Sequence, residues 1–204
     1  MRRLPEKAVD DPAVRDAVLA AGRVAHVAVV EDAVPYVIPV AYAPEADRVL
    51  FHGSTASRLF RILAGGAPTC LTVTLLDGLV LARSAFESSM HYRSVVVLGR
   101  CAVLEGDDKL DGLRAVTEHL MPERWAELRA PLAKEIAATT VLALPLDEWS
   151  VKVSAGPPDD PDDDLDAPVW AGVLPMVTSF GAPLPAPDLH GDHALPDYLG
   201  RWAP

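Results

Sequence analysis

Cysteine is scarce in this chain: there are two among 204 residues, Cys70 and Cys101, each set in an apolar run. Two such thiols build no disulfide framework. They read as buried structural groups in a reducing compartment, so the expected location is cytoplasmic. Long apolar runs are missing too. Nothing approaches the ~20 residues of a bilayer-spanning helix, and Leu4-Pro5-Glu6-Lys7 follows Met1-Arg2-Arg3 where a signal peptide would carry its apolar core. Basic charge is also short, with 18 Lys and Arg against 29 Asp and Glu for a net −11. About half of that excess sits in the aspartates between Asp159 and Asp166. Neither part of the chain offers the basic face that nucleic acid or an anionic membrane requires. The sequence lacks a Gly-x-x-x-x-Gly-Lys-Ser/Thr loop and the dinucleotide fingerprint, which sets aside P-loop and Rossmann chemistry. It also lacks a Gly-x-Ser-x-Gly elbow, which leaves a serine hydrolase little support.

Half of the residues are hydrophobic, enough for a large core. Asp11-Pro12 opens a helix that ends near Gly22. Val24 to Val30, Pro35 to Ala43 and Val49 to Phe51 then read as three strands joined by tight turns, hence an antiparallel meander. Pro39 cannot donate to a ladder, so the second strand should have a bulge or an open edge there. Pro68 to Leu76 is a further strand, and Asp77-Gly78 signals a hairpin into Leu79 to Phe86. Tyr92 to Leu104 reads as one long strand. Helices over Leu110 to Leu120 and Trp125 to Ile136 follow, then strands at Thr139 to Leu144 and Trp149 to Ser154. The expected class is mainly β with α: one antiparallel sheet of six to eight strands, closing into a barrel. Residues 1–154 form the expected domain. Residues 155–204 are a Pro- and Asp-rich extension, irregular by composition, whose apolar stretch Val169 to Val177 should pack on the core or on a partner subunit.

The chain is organised around Val49 to Gly66. A short buried strand gives way at His52, Gly53, Ser54 and Thr55 to a helix whose apolar positions are Leu59, Phe60, Ile62 and Leu63. Free amides at such a turn converge on one spot that attracts anions. Ser54, Thr55, Ser57 and Arg58 surround that spot, and a guanidinium fork suits phosphate. The same residues also serve as a plain N-cap with a solvated first-turn arginine. Arg93 enters an otherwise apolar strand, where an unpaired charge would be costly.

Five pieces in order resemble the flavin-binding split-barrel family of pyridoxamine 5′-phosphate oxidase, in its nitroimidazole reductase-like branch. They are Pro35 to Tyr42, Leu50 to Arg58, Cys70 to Gly78, His91 to Gly99 and Trp149 to Lys152. The resemblance implies an antiparallel split β-barrel and a homodimer with FMN lodged between subunits. It places Val37, Ile38 and Pro39 against the flavin ring. His52, Gly53, Ser57 and Arg58 would hold the phosphate, with Arg93 and Ser94 completing the site. It also implies hydride transfer with NAD(P)H or a small electrophile as partner. The alternative is a flavin- or haem-binding carrier or sensor without turnover. In two respects the chain departs from the oxidases: Leu59 stands where they carry lysine after the Ser-Arg pair, and Pro35 to Ala41 holds no basic residue. Arg201-Trp-Ala-Pro204 is similar to their substrate-binding end in part only.

His52 and His91 are candidate proton donors near the ring, or plain hydrogen-bonding residues. His190-Gly-Asp-His193 is an incomplete set of metal ligands. The Asp159 to Asp166 run lacks the glycine and closing glutamate of a calcium loop.

Overall fold

The computed structural model describes residues 8–191 and 193–202. Met1 to Lys7, Asp192, Ala203 and Pro204 lie outside the described residues, and with them the N-terminal stretch set aside above as a signal peptide and part of the His190–His193 and Arg201–Pro204 motifs.

The strands are β1 (Ala8–Val9), β2 (Val24–Glu31), β3 (Val34–Glu45), β4 (Arg48–Ser54), β5 (Pro68–Leu81), β6 (Ser89–Arg100), β7 (Ala102–Leu104), β8 (Thr139–Pro145), β9 (Glu148–Ser154) and β10 (Gly172–Pro175). The helices are α1 (Pro12–Ala21), α2 (Arg58–Ala64), α3 (Gly106–Leu120), α4 (Ala133–Ala137) and α5 (Leu199–Trp202). All the strands belong to one antiparallel sheet in the order β1-β9-β6-β5-β2-β3-β4-β8-β7, with β10 added to β5. Among the described residues, β1 and β7 at the two ends do not pair with each other.

The main core draws Val27, Phe51, Leu71, Val95, Leu142 and Val151 from across this sheet, so the sheet curls round one interior. Leu19 of α1 and Phe60 of α2 plug it. A second, smaller core lies between α3 and the outer side of β4 and β8, where Val116 meets Leu50, Val141 and Ala143. Val49, Leu50 and Phe51 are all buried because β4 is covered on both faces, which explains an unbroken apolar run where an alternating one would be usual.

Pro39 does meet an open edge. The first half of β3 pairs with β2 up to Ala41, and the second half pairs with β4 only from Tyr42. Three expectations are corrected. Asp77-Gly78 is not a hairpin: β5 runs through it to Leu81, with an irregularity between Leu76 and Gly78, and the true turn lies beyond. A glycine in a strand marks a bulge as readily as a turn, and here Leu79 and Val80 continue the ladder with Met90 and Ser89. Tyr92 to Leu104 is two strands, because the chain changes neighbours at Cys101, from β5 and β9 to β8. Trp125 to Ile136 is a short 3-10 turn and a separate α4, with Pro131 between them.

Candidate functional site

The turn from β4 into α2 has the expected shape. Gly53 lets α2 approach closely, since a Cβ there would fall 2.6 and 2.7 Å from Phe60 ring carbons. Phe60 in turn meets Phe51 edge to face at 5.9 Å. Within the turn several amides are already used. Thr55 N–H donates to the Ala138 carbonyl (2.9 Å), Ala56 N–H to Ser54 Oγ (3.2 Å) and Ser57 N–H to the Ser54 carbonyl (2.9 Å). Ser57 occupies the N-cap position with extended backbone, yet its side chain makes no capping hydrogen bond. The first-turn amides of α2 therefore remain open to an acceptor, which is the fit a phosphate needs.

Arg58 stands beside those amides with two partners that the sequence did not announce. Its Nε donates to Glu31 Oε2 at 2.5 Å, and its guanidinium lies 4.9 Å over the Tyr36 ring. Glu31 ends β2 and Tyr36 sits near the start of β3. The two-residue turn between these strands, Asp32 and Ala33, has φ of 52° and 62°. Positive φ at both positions defines the tight hairpin that swings Glu31 and Tyr36 to the same end of the sheet as α2. The Arg58 and Glu31 side chains are 48% and 36% exposed, so the guanidinium is held but still reachable.

The other expected residues do not share one place. Val37 and Pro39 are exposed on the outer face of β3, across from Ala28 and His26, whereas Ile38 turns inward onto the core. By strand alternation His52 faces the same side as Leu50, opposite Gly53. Its Nδ1 is buried without a partner, and burial holds the ring below the ordinary imidazole range. Ser94 lies between Thr74 and Lys152. Arg93 donates twice to Asp77, Nε to Oδ2 at 2.9 Å and Nη2 to Oδ1 at 2.7 Å. That pair keeps the Asp77 carboxyl below the usual carboxylate range. Arg93 pairs across from Leu75, whereas Ala28, near the Glu31 end of β2, pairs with Cys70. At about 3.3 Å per residue, Arg58 and Arg93 lie roughly 25 Å apart along the sheet. One copy of the chain does not bring them together.

Arg93 instead opens onto a cavity of about 520 Å³ with Arg23, Thr74, Asp77, Met176 and Phe180 in its wall. Arg23 lies 5.3 Å over the Phe180 ring. Sequence reasoning missed Glu31, Tyr36, Asp77 and Arg23. Only Asp77 carried a signal, as an acid beside a strand glycine, and it was open to a second interpretation. His91 lines a separate cavity with Phe86 and Ser154. The thiols are free: burial pushes Cys101 up to about 12, whereas Cys70 is only half-buried on the outer face of β5 and not fully interior. No group of three metal-ligating side chains occurs among the described residues. No helix among them is long and apolar enough to cross a membrane.

The curled antiparallel sheet, with open amides and a guanidinium at its strand-to-helix turn, makes this a mainly β protein. The chain belongs to the pyridoxamine 5′-phosphate oxidase family, whose model matches residues 11–153. Among solved structures it is similar to the FAD- and haem-binding protein of Mycobacterium smegmatis, at 44% identity over 97% of each chain and a TM-score of 0.93. It is also similar to the flavocytochrome Anf3 of Azotobacter vinelandii, at 40% identity over 99% of this chain and 94% of that one, with a TM-score of 0.93. A 5-nitroimidazole antibiotic resistance protein from Bacteroides thetaiotaomicron shares the fold at 18% identity, covering 72% of this chain and 86% of that one at a TM-score of 0.62. No curated protein sequence matches the chain significantly.

Proposed function

We propose that the protein is a dimeric flavin- and haem-binding oxidoreductase. The observation that carries this is the 44% identity, over 97% of both chains, to a protein described as binding FAD and haem. That likeness favours FAD over the FMN expected from sequence. In this reading the curled sheet is the family's split barrel, residues 155–204 form an extension packed on it, and two free thiols suit the cytoplasm.

When bound, the flavin would supply hydride and single-electron chemistry and the haem single-electron chemistry. The protein's part is to hold and orient. The open amides of α2 and the Arg58 guanidinium would take the flavin phosphate, with Glu31 giving way or sharing the fork. Tyr36 backs the guanidinium and limits its swing. His52, neutral through burial, adds no positive charge there. The Arg93–Asp77 pair fixes a guanidinium at the mouth of its cavity.

The roughly 25 Å between Arg58 and Arg93 supports a homodimer in which one subunit supplies each. So does the exposed outer face of β2 and β3, where Val24, Val30 and Val37 are each at least half exposed.

The test is the absorbance spectrum of the pure protein and the mass of what acid releases from it. A flavin envelope with a Soret band, and the mass of FAD, is the expected result. A colourless protein that ignores added FMN, FAD and hemin refutes the reading. Steady oxidation of NADH or NADPH with an acceptor separates an enzyme from a carrier.

A further inference from the structure

The two relatives described as binding haem align with 97% and 99% of this chain, whereas the nitroimidazole resistance protein aligns with only 72%. Most of the difference is the size of the extension beyond Ser154, which the family model also leaves out. A haem site that accompanies the extension should be built from extension residues.

The extension and the Arg124–Glu127 segment together line an open cavity of about 700 Å³, well within the size range of cofactor pockets. Its wall is mostly aliphatic: Leu184, Leu189, Leu195 and Leu199, with several prolines between them. Leu184 is 91% exposed and Leu195 59%. Apolar side chains gathered at a cavity and left open to water call for an apolar occupant. Three polar side chains interrupt that wall, His193, Arg124 and the Glu127 carboxylate that pairs with Arg124, and the first two suit a haem. His193 offers an imidazole, the commonest protein ligand of haem iron. Arg124 offers a guanidinium, the natural partner of a propionate. Arg124 is already oriented, because Nη1 donates to Glu127 Oε2 at 2.6 Å and the Tyr198 hydroxyl donates to the same oxygen at 2.7 Å.

The other histidines are placed less well: His91 lines a different cavity, with Phe86 and Ser154 and without Arg124. His119 Nε2 is engaged with the Gly22 carbonyl at 2.7 Å. His26 stands on the exposed outer face of the sheet, where the proposed dimer would cover it. His52 is half-buried on β4 and is not part of the cavity wall. His190 is not part of the cavity wall.

The cavity also connects in the right direction. It shares Pro183, Leu195 and Leu199 with a neighbouring apolar cavity that contains Phe180 and Trp202, and Phe180 also walls the cavity at Arg93. From these residues we infer that the extension carries the haem, with His193 as the axial ligand and Arg124 facing a propionate. This rests on the flavin- and haem-binding function proposed above.

The test is a hemin titration of the purified full-length protein, followed by its Soret band, with flavin content measured in the same sample. His193→Ala should lower hemin affinity at least tenfold and shift the Soret band while flavin content stays at the wild-type level. Added imidazole should restore the wild-type spectrum, which a merely structural role for His193 would not allow. Arg124→Gln should weaken binding without moving the band, and His190→Ala should change neither. A wild-type spectrum and affinity retained in His193→Ala overturns the assignment and leaves the haem reading intact. A wild-type protein that takes up no hemin overturns the haem reading itself. A cavity occupied by a second copy of the chain would show as hemin binding that is independent of Arg124 and His193, and that too overturns the inference.

Discussion

Replacing Arg58 by alanine should lower flavin affinity about thirtyfold. A hydrogen bond from a charged donor to phosphate contributes about 2–3 kcal/mol. Part of that is offset, because in the free protein Arg58 is already bonded to Glu31 and that bond must open or be shared. Both side chains are at least a third exposed, so the pair itself contributes only ~0.2–1 kcal/mol. The net is about 2 kcal/mol, and every 1.4 kcal/mol is about tenfold in the dissociation constant. The same reasoning gives Glu31→Gln the opposite sign. Freeing the guanidinium and removing a carboxylate from the phosphate's surroundings should tighten binding by up to about 1 kcal/mol, roughly fivefold. Flavin fluorescence quenching on titration into the flavin-free protein measures both variants. Unchanged affinity in Arg58→Ala, or weaker binding in Glu31→Gln, would refute the phosphate role of the α2 turn.

Gly53→Ala should destabilise the fold by about 1–3 kcal/mol, because the new methyl meets the Phe60 ring and a packed core does not absorb it. Denaturant unfolding reads this, and a midpoint equal to wild type would show that α2 moves freely. Burial keeps His52 and His119 below the ordinary imidazole value of 6.5, so the unfolded chain takes up their protons first. Stability should be level above about pH 6.5 and fall as the pH drops below it towards the folded-state values. The Asp77 carboxylate is lowered from 3.8 and loses its contribution only further down. Thermal melts at about pH 7.5 and about pH 5.5 test this, with His119→Gln flattening the difference; equal melting temperatures would contradict it. Val37→Asp places a charge on the exposed outer face of β3. Light scattering should then give the mass of one chain where the wild type gives two, and a dimer that tolerates the aspartate would place the interface elsewhere.

Much of the sheet could be read from periodicity and turn residues, because α1, β2, β3, β4, α2, β8 and β9 are each bounded by a local signal. What escaped depends on neighbours distant in sequence. Asp77-Gly78 carries the same dipeptide signal for a turn and for a bulge, and only the ladder from Leu79 to Met90 decides between them. The break at Cys101 leaves little local trace, since apolar residues stand on both sides of it, Val95 to Leu98 in β6 and Ala102 to Leu104 in β7, and what changes is which strands they join. At the site, the α2 turn and Arg58 were legible because their geometry is local. Glu31 lies 27 positions before Arg58 in the chain, and no motif links the two. The same holds for Arg93, whose charge was recognisable as needing a partner although Asp77 was not recognisable as that partner.

The last strand has a consequence for biogenesis. β10 runs along Gly78 to Leu81 of β5, an edge that β2 leaves uncovered because its own pairing stops at Thr72. Until residues 172–175 leave the ribosome, the nascent protein carries a bare row of peptide groups flanked by Leu79 and Leu81. Such a row is a template for sticking to another unfinished copy. Synthesis arrested shortly before Gly172 should therefore yield aggregates, whereas release only a few codons after Pro175 should yield a protein that stays dispersed.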